Sequence, residues 1–190
     1  MKTVIIGGTF NPVHMGHLYL AEEIQRTLGY DRVIFVPAHI PAHKETDDST
    51  TPQQRLEMLR YVIQGSEFVV DSCEIERGGI SYTIDTVGEL QERYGFTGKP
   101  GLVIGDDLVD GLHEWKDWEE LMEMVDLIIA HRSYEERVSC SVAHTYVDNL
   151  VLPISSSDIR RRVREGGAFR YLLPEAVYAY IIENRIYFSE

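Results

Sequence analysis

Two histidines, His14 and His17, stand at the entry to a helical run, after two glycines and a proline in the stretch GGTFNPVHMGH, Gly7 to His17. At that spacing their imidazoles lie one helical turn apart and face the same way. A helix start carries partial positive charge and N–H groups without partners, and imidazoles there add hydrogen bonds to phosphate oxygens. Gly16, between the histidines, lets a ligand lie close to the helix start. Gly7 and Gly8 either form a tight turn or bring backbone N–H groups up to a ligand. Zinc is the competing chemistry, because histidines at i and i+3 can share a metal. It would need a third ligand such as His39 or His43, and no carboxylate stands at metal spacing. The stretch has neither the G-x-G-x-x-G of a dinucleotide fingerprint nor the G-K-[ST] of a Walker loop.

A second candidate comes late in the chain, in ISSSDIRRRVREG, residues 154–166. Ser155, Ser156 or Ser157 can cap a helix and leave hydroxyls and N–H groups pointing outward. Arg160 follows within about the first turn. A cap, exposed N–H groups and an arginine together suit a polyphosphate. The plainer alternative is an amphipathic helix with Ile159 and Val163 inward and Arg161, Arg162 and Arg164 solvated.

These residues need a scaffold, and the hydrophobic pattern supplies one. TVII and DRVIFVPA read as buried strands, and PGLVIGDD, DLIIAHR and part of HTYVDNLVLP continue the series. Between them, GHLYLAEEIQRTLG places Leu18, Ala21, Ile24 and Leu28 at helical spacing and stops at Gly29. PQQRLEMLRYVIQG opens with a proline suited to a first helical turn. SYTIDTVGELQERYG puts Ile84, Val87 and Leu90 inward, and DWEELMEM is helical. FVVDSCEI reads as a strand, and Trp118 as a core aromatic. Two helices close the chain, around SSSDIRRRVREGG and PEAVYAYIIENR. Alternating strands and helices predict βαβ units and a parallel sheet covered on both faces. Ligands then sit beyond the carboxyl ends of the strands. Gly7–His17, PAHIPAHKETDDST and GDDL all fall there, so separate strands deliver them to one rim. The loop from Pro37 to Thr50 is the longest irregular piece and reads as a lid.

Composition narrows the function classes. The chain has 190 residues, 44% hydrophobic and 26% charged, ordinary for a soluble globular protein. A formal net charge of −13 argues against binding a nucleic-acid backbone through overall charge. Four of the eighteen Lys and Arg residues nevertheless fall between Arg160 and Arg164, a basic knot that suits a small phosphorylated ligand. No apolar run approaches the ~20 residues of a membrane span, and MKTVIIGG lacks a signal-peptide pattern. Cys73 and Cys140 form neither a disulfide framework nor a metal spacing, which favours a reducing, cytoplasmic setting. A homo-oligomer is left open.

Taken together, GGTFNPVHMGH and ISSSDIR resemble the nucleotidyltransferases whose signatures are H-x-G-H and a late S-S-x-x-I-R. VIFVPAHIPAHK, RLEMLRYVI, ERGGISYTIDTV, VIGDDLVDGLHEWKDWEEL and YLLPEAVYAYI sharpen this, since they look like the bacterial nicotinate-nucleotide adenylyltransferases over nearly the whole chain. The resemblance implies one α/β domain over residues 1–190, a Rossmann-like doubly wound parallel sheet with helices on both faces and a C-terminal helical segment. It implies that ATP and nicotinate mononucleotide are joined to give deamido-NAD and pyrophosphate. The mononucleotide's 5′-phosphate would attack the α-phosphorus in line, without a covalent enzyme intermediate and with Mg2+ accompanying ATP. No resident metal, nucleic acid or membrane is implied.

By the same resemblance, His14 and His17 would bind ATP phosphates and stabilise the transition state. Ser155, Ser156 and Arg160 would hold the outer end of the triphosphate. Gly7, Gly8, Thr9 and Phe10 would line the nucleotide cleft through their backbone. Gly105 and Asp107 match a G-x-D segment that contacts the nucleotide, with a helix cap as the other reading of Asp107. Trp115 matches a tryptophan on which the nicotinate ring stacks. Tyr82 and Thr83 match a segment that accepts the nicotinate carboxylate, although Thr83 equally suits a helix cap. His43 and Lys44 match a phosphate-approaching P-P-H-K loop in which Ala42 here replaces a proline. Arg132 matches an arginine near the mononucleotide, but Ser133 and Tyr134 replace the usual P-G that follows it. The nearest rivals are transferases acting on phosphopantetheine or on nicotinamide mononucleotide. A nucleotide-binding regulatory module that has lost catalysis is the alternative from another class, and both histidines speak against it.

Overall fold

The computed structural model describes residues 1–42, 49–132 and 136–189. In chain order the elements are β1 (Thr3–Gly8), α1 (Met15–Leu28), β2 (Arg32–Pro37), β3 (Ile40–Pro41), α2 (Pro52–Ile63), β4 (Phe68–Val70), α3 (Cys73–Arg77), β5 (Ile80–Ser81) and α4 (Thr83–Tyr94). They continue as β6 (Gly101–Gly105), α5 (Trp118–Met124), β7 (Asp126–Ala130), β8 (His144–Val147), α6 (Ser156–Arg164) and α7 (Glu175–Glu183).

Six strands form one parallel sheet in the order β4-β2-β1-β6-β7-β8, and β3 pairs with β5 in a separate two-stranded ribbon. The pleat of a strand sends alternate side chains to opposite faces. Val4 and Ile6 of β1 and Val33 and Phe35 of β2 accordingly join the core beside α1, α2, α6 and α7. Ile5, Ile34 and Val36 join the opposite core, with Val87 and Leu90 of α4 and Leu121 of α5. The expected doubly wound α/β architecture is therefore present.

Local chemistry sets the helix ends as the sequence predicts. Gly29 closes α1 at φ 66° and Gly95 closes α4 at φ 56°, left-handed positions that suit glycine. The Thr51 hydroxyl accepts the Gln54 N–H at the start of α2, just before Pro52. The helix of the late serine stretch also forms, with Ile159 and Val163 buried.

Two expectations are corrected. FVVDSCEI is not one strand: β4 ends at Val70 and Cys73 begins α3. The turn is made by Asp71, whose carboxylate accepts the Cys73 N–H at 2.9 Å and is held from α4 by Arg93 at 2.6 Å and by the Tyr94 hydroxyl at 2.9 Å. Trp118 is only half-buried at the start of α5 and lies outside both cores. Part of the Pro37–Thr50 loop is the short strand β3, and residues 43–48, which include His43 and Lys44, lie outside the described residues.

The chain runs outward from β1 to β2 to β4, then returns to lay β6 on the other side of β1. The order of strands reverses at the β1–β6 boundary, where open α/β sheets bind their ligands. No helix among the described residues is long and apolar enough to cross a membrane.

Candidate active site

Both histidines sit on that boundary, and the loop from β1 into α1 is built to hold them. Phe10 takes a left-handed backbone, φ 51°, which folds its ring back over Gly8. A Cβ on Gly8 would stand 3.1 Å from that ring, so only glycine fits without a shift. The buried Phe10 ring meets His17 edge-on, with centroids 5.1 Å apart, and meets Phe35 in the same way at 5.6 Å. Phe10 thus props His17 with its side chain.

His14 is the residue from which α1 starts, in extended conformation. Its N–H donates to His17 Nδ1 at 3.2 Å, and the two rings stack with centroids 3.7 Å apart. Because Nδ1 of His17 accepts, the neutral ring carries its proton on Nε2, and that nitrogen is its donor. His14 is 5% exposed, and no hydrogen bond to Nδ1 is found among the described residues. A Cβ on Gly16 would lie 3.1 Å from His14 Nδ1 and Cε1. The glycine of H-x-G-H therefore makes room for the first histidine.

Burial, and then the positive charge of Arg132, push the His14 pKa down from 6.5 to about 4. At neutral pH the His14 ring is uncharged and offers a single N–H. An unfolded chain takes up the proton near pH 6.5 and the folded one resists it until about pH 4. This group's contribution to stability is therefore intact above pH 6.5 and falls as pH drops toward 4, by about 3 kcal/mol in all. Two results are expected. The His14 ring protons titrate near pH 4 by NMR and move upward when a polyphosphate binds. The stability of a His14→Asn variant depends less on pH between 6.5 and 4 than that of the parent.

The late serines and Arg160 are docked on the same loop. Ser155 caps α6 by accepting the Asp158 N–H at 3.1 Å. The Ser156 hydroxyl donates to the Pro12 carbonyl at 2.9 Å, and Arg160 donates to the Asn11 carbonyl at 2.7 Å. The Asn11 side-chain oxygen accepts from the Thr50 hydroxyl at 2.7 Å and the Tyr187 hydroxyl at 2.6 Å. Two helix N-termini, those of α1 and α6, are thus pinned to one loop. Arg161 and Arg162 instead pair with Asp158 on the surface of α6, as the solvated alternative expects.

At the end of β6, a Cβ on Gly105 would lie 2.3 Å from Asp107 Oδ1 and 3.0 Å from Arg132 Cδ. A side chain at this position would displace the Asp107 carboxylate, which pairs with Arg132 at 3.2 Å. Asp107 lies inside a short 3-10 turn that starts from Gly105, so it is not a helix cap. Its Oδ1 is buried without a hydrogen-bond partner among the described residues. Asp106, fully buried beside it, accepts the Arg132 N–H at 3.1 Å and ties the ends of β6 and β7 together.

A third group gathers where α4 begins. Tyr82 occupies the cap position and Thr83 is the first helical residue, so Thr83 is not the cap. Lys116 reaches Asp85 in the first turn of α4 at 2.9 Å and lies 5.0 Å from the centre of the Tyr82 ring. Its neighbour Trp115 is a half-buried ring packed against the second core.

Asn11, Arg55, Asp106, Lys116 and Tyr187 escape the sequence reading. Arg55 carries a usable signal, because it shares the inward face of α2 with Met58 and Leu59, where a charge is out of place. Tyr187 carries none, since only the fold returns the C-terminal segment to Asn11. Cys73 is excluded as a nucleophile, because burial and then Asp71 push its thiol strongly upward. Among the described residues no His, Cys, Asp or Glu side chains are grouped as three metal ligands. The donors that converge are imidazoles, hydroxyls, a guanidinium and helix N-termini, a set matched to phosphate oxygens.

Residues 5–162 match the family model described as Cytidylyltransferase-like. The chain is 44% identical over 188 residues to a Borrelia garinii subsp. bavariensis protein named "Probable nicotinate-nucleotide adenylyltransferase", covering 98% of this chain and 95% of that one. A Treponema pallidum protein of the same name is 37% identical over 204 residues, with both chains fully covered. Among solved structures, the fold is similar to a Plasmodium falciparum nicotinic acid mononucleotide adenylyltransferase complexed with NaAD, with a TM-score of 0.78, 18% identity and 98% of each chain covered.

Proposed function

Because the chain belongs to the cytidylyltransferase-like family, and within it to the nicotinate-nucleotide adenylyltransferases, we propose that it transfers AMP from ATP to nicotinate mononucleotide. The products are deamido-NAD and pyrophosphate. The observation that carries the reading is the docking of α6 on the β1–α1 loop through Ser156 and Arg160. It brings two helix N-termini to one loop, an arrangement that suits a triphosphate and that a shared zinc does not need.

In this mechanism an oxygen of the mononucleotide's 5′-phosphate attacks the α-phosphorus of ATP. A new P–O bond forms as the bond to the β-phosphate oxygen breaks, and pyrophosphate leaves. The N-terminus of α1, His14 and the Nε2–H of His17 meet the charge that builds on the phosphate oxygens. Ser155, Ser156 and Arg160 hold the leaving pyrophosphate end. The backbone from Gly7 to Phe10, with Gly105 and Asp107, lines the nucleotide cleft. Trp115, Tyr82 and Thr83 receive the nicotinate ring and carboxylate, and Arg132, His43 and Lys44 serve the acceptor's phosphate side. No side chain supplies a nucleophile, so the protein's work is positioning and charge stabilisation.

The converging donors also fit Mg2+ arriving on the triphosphate, for which Asp107 would be a carboxylate at hand, its Oδ1 having no hydrogen-bond partner among the described residues. The ion supplies charge neutralisation on the phosphates. Residues 1–190 act on this proposal as one catalytic unit, in the cytoplasm. Free Cys73 and Cys140 are consistent with that setting.

The test is pyrophosphate release from ATP with three acceptors compared: nicotinate mononucleotide, its amide and phosphopantetheine. Release with nicotinate mononucleotide well above the other two is expected. Release with phosphopantetheine alone overturns the assignment.

A further inference from the structure

Arg55 is a cation in an uncommon setting. It is 4% exposed on the inward face of α2, and every hydrogen bond it makes among the described residues goes to a main-chain carbonyl. One guanidinium nitrogen donates to Thr9 O at 2.8 Å and to Ala38 O at 2.6 Å, and the other terminal nitrogen donates to His39 O at 3.0 Å. Thr9 belongs to the loop leaving β1, whereas Ala38 and His39 belong to the loop leaving β2. A planar guanidinium holds several acceptors in fixed directions, which an ammonium cannot do.

The tie extends beyond these two loops. The His39 N–H donates to the Ser81 hydroxyl at 2.9 Å, and His39 Nδ1 lies 3.0 Å from the Gly79 carbonyl. Ser81 is the last residue of β5, paired in register with Pro41 of β3, and it directly precedes Tyr82 and Thr83. Arg55 thus stands between the loop proposed to carry ATP and the segment proposed to carry the nicotinate ring. Glu74, which is hydrogen-bonded to Thr86 of α4 at 2.6 Å, supplies part of the opposing charge.

We propose that Arg55 is a positioning residue that sets the separation between the two substrate-binding segments, and hence the alignment of the attacking phosphate with the α-phosphorus. The inference rests on the adenylyl-transfer reading above. Each substrate binds mainly through its own loop, so loss of the guanidinium leaves both sites occupied but poorly aligned. Misplacement by about 1 Å costs on the order of 100-fold in rate.

The experiment compares Arg55→Lys and Ser81→Ala with the parent by two-substrate kinetics, binding of each substrate alone and thermal melting. For Arg55→Lys, kcat is expected to fall roughly 10- to 100-fold, with KM and binding of ATP and nicotinate mononucleotide within about threefold of the parent. Ser81→Ala cuts the same tie at its far end and lowers kcat by a smaller factor. The double variant is then no slower than Arg55→Lys alone, since both act through one connection. A folded Arg55→Lys protein with parental kcat and only a lowered Tm overturns the proposal, as does a rise in one KM at constant kcat. If Arg55→Lys does not fold, Ser81→Ala decides: a lowered kcat at parental Tm upholds the proposal and a parental kcat overturns it. Failure of the functional reading is distinct, because the parent protein itself would then form no dinucleotide.

Discussion

His17→Ala is expected to lower kcat by about 10²- to 10³-fold, the usual cost of removing one donor from a developing oxyanion. The ring is held on three sides before any substrate arrives. Phe10 meets it edge-on, His14 stacks on it, and the His14 N–H fixes its tautomer. Such a donor needs no reorganisation when charge builds on the α-phosphate. Alanine also removes the acceptor for the His14 N–H and so weakens the start of α1, at about 1 kcal/mol. His17→Asn separates the two effects, because an amide oxygen can still accept that N–H. Both variants are expected to lose turnover, with Asn keeping the parental Tm and ATP KM changing only a few-fold in either. A His17→Asn protein with near-parental kcat would remove His17 from the transition state.

Arg160→Met is expected to weaken ATP instead, by about 10- to 100-fold in Kd. Hydrogen bonds to a charged group contribute about 1.5–3 kcal/mol each. Its guanidinium donates to the Asn11 carbonyl, which fixes the side chain on the β1–α1 loop. Isothermal titration with a non-hydrolysable ATP analogue reads the loss directly, and kcat at saturating ATP should change far less. Arg161→Met serves as the control. Arg161 pairs with Asp158 and Glu165 on the helix surface, so its affinity for the analogue should match the parent. Equal losses for the two variants would mean that only the general charge of the basic knot matters.

Much of this was legible in the residues. Buried β-branched runs and glycine-ended amphipathic segments predict the parallel sheet, and the sheet places Gly7–His17 and Gly105–Asp107 on one rim. What the sequence hides are contacts that only tertiary structure creates. FVVDSCEI has strand composition throughout, and the turn at Asp71 depends on Arg93 and Tyr94 arriving from α4. Gly16 reads as clearance for a ligand and Gly105 as part of a nucleotide-contacting G-x-D segment, yet each makes room for a side chain of the protein itself, His14 and Asp107 respectively. The His14 charge state is likewise unreadable, because burial and the charge of Arg132, just past the end of β7, determine it. Arg55 is visible as a charge on an apolar face, but its three carbonyl partners come from two loops that the fold alone brings together.

On the proposed function, transfer at the rim shared by β1 and β6 is direct, with the protein positioning both substrates and lending no nucleophile. The most direct measurement follows the configuration at phosphorus, using ATP that carries a chiral α-thiophosphate together with nicotinate mononucleotide. A single in-line displacement gives dinucleotide with inversion at that phosphorus. Retention would require two displacements through a covalent enzyme intermediate and would contradict it.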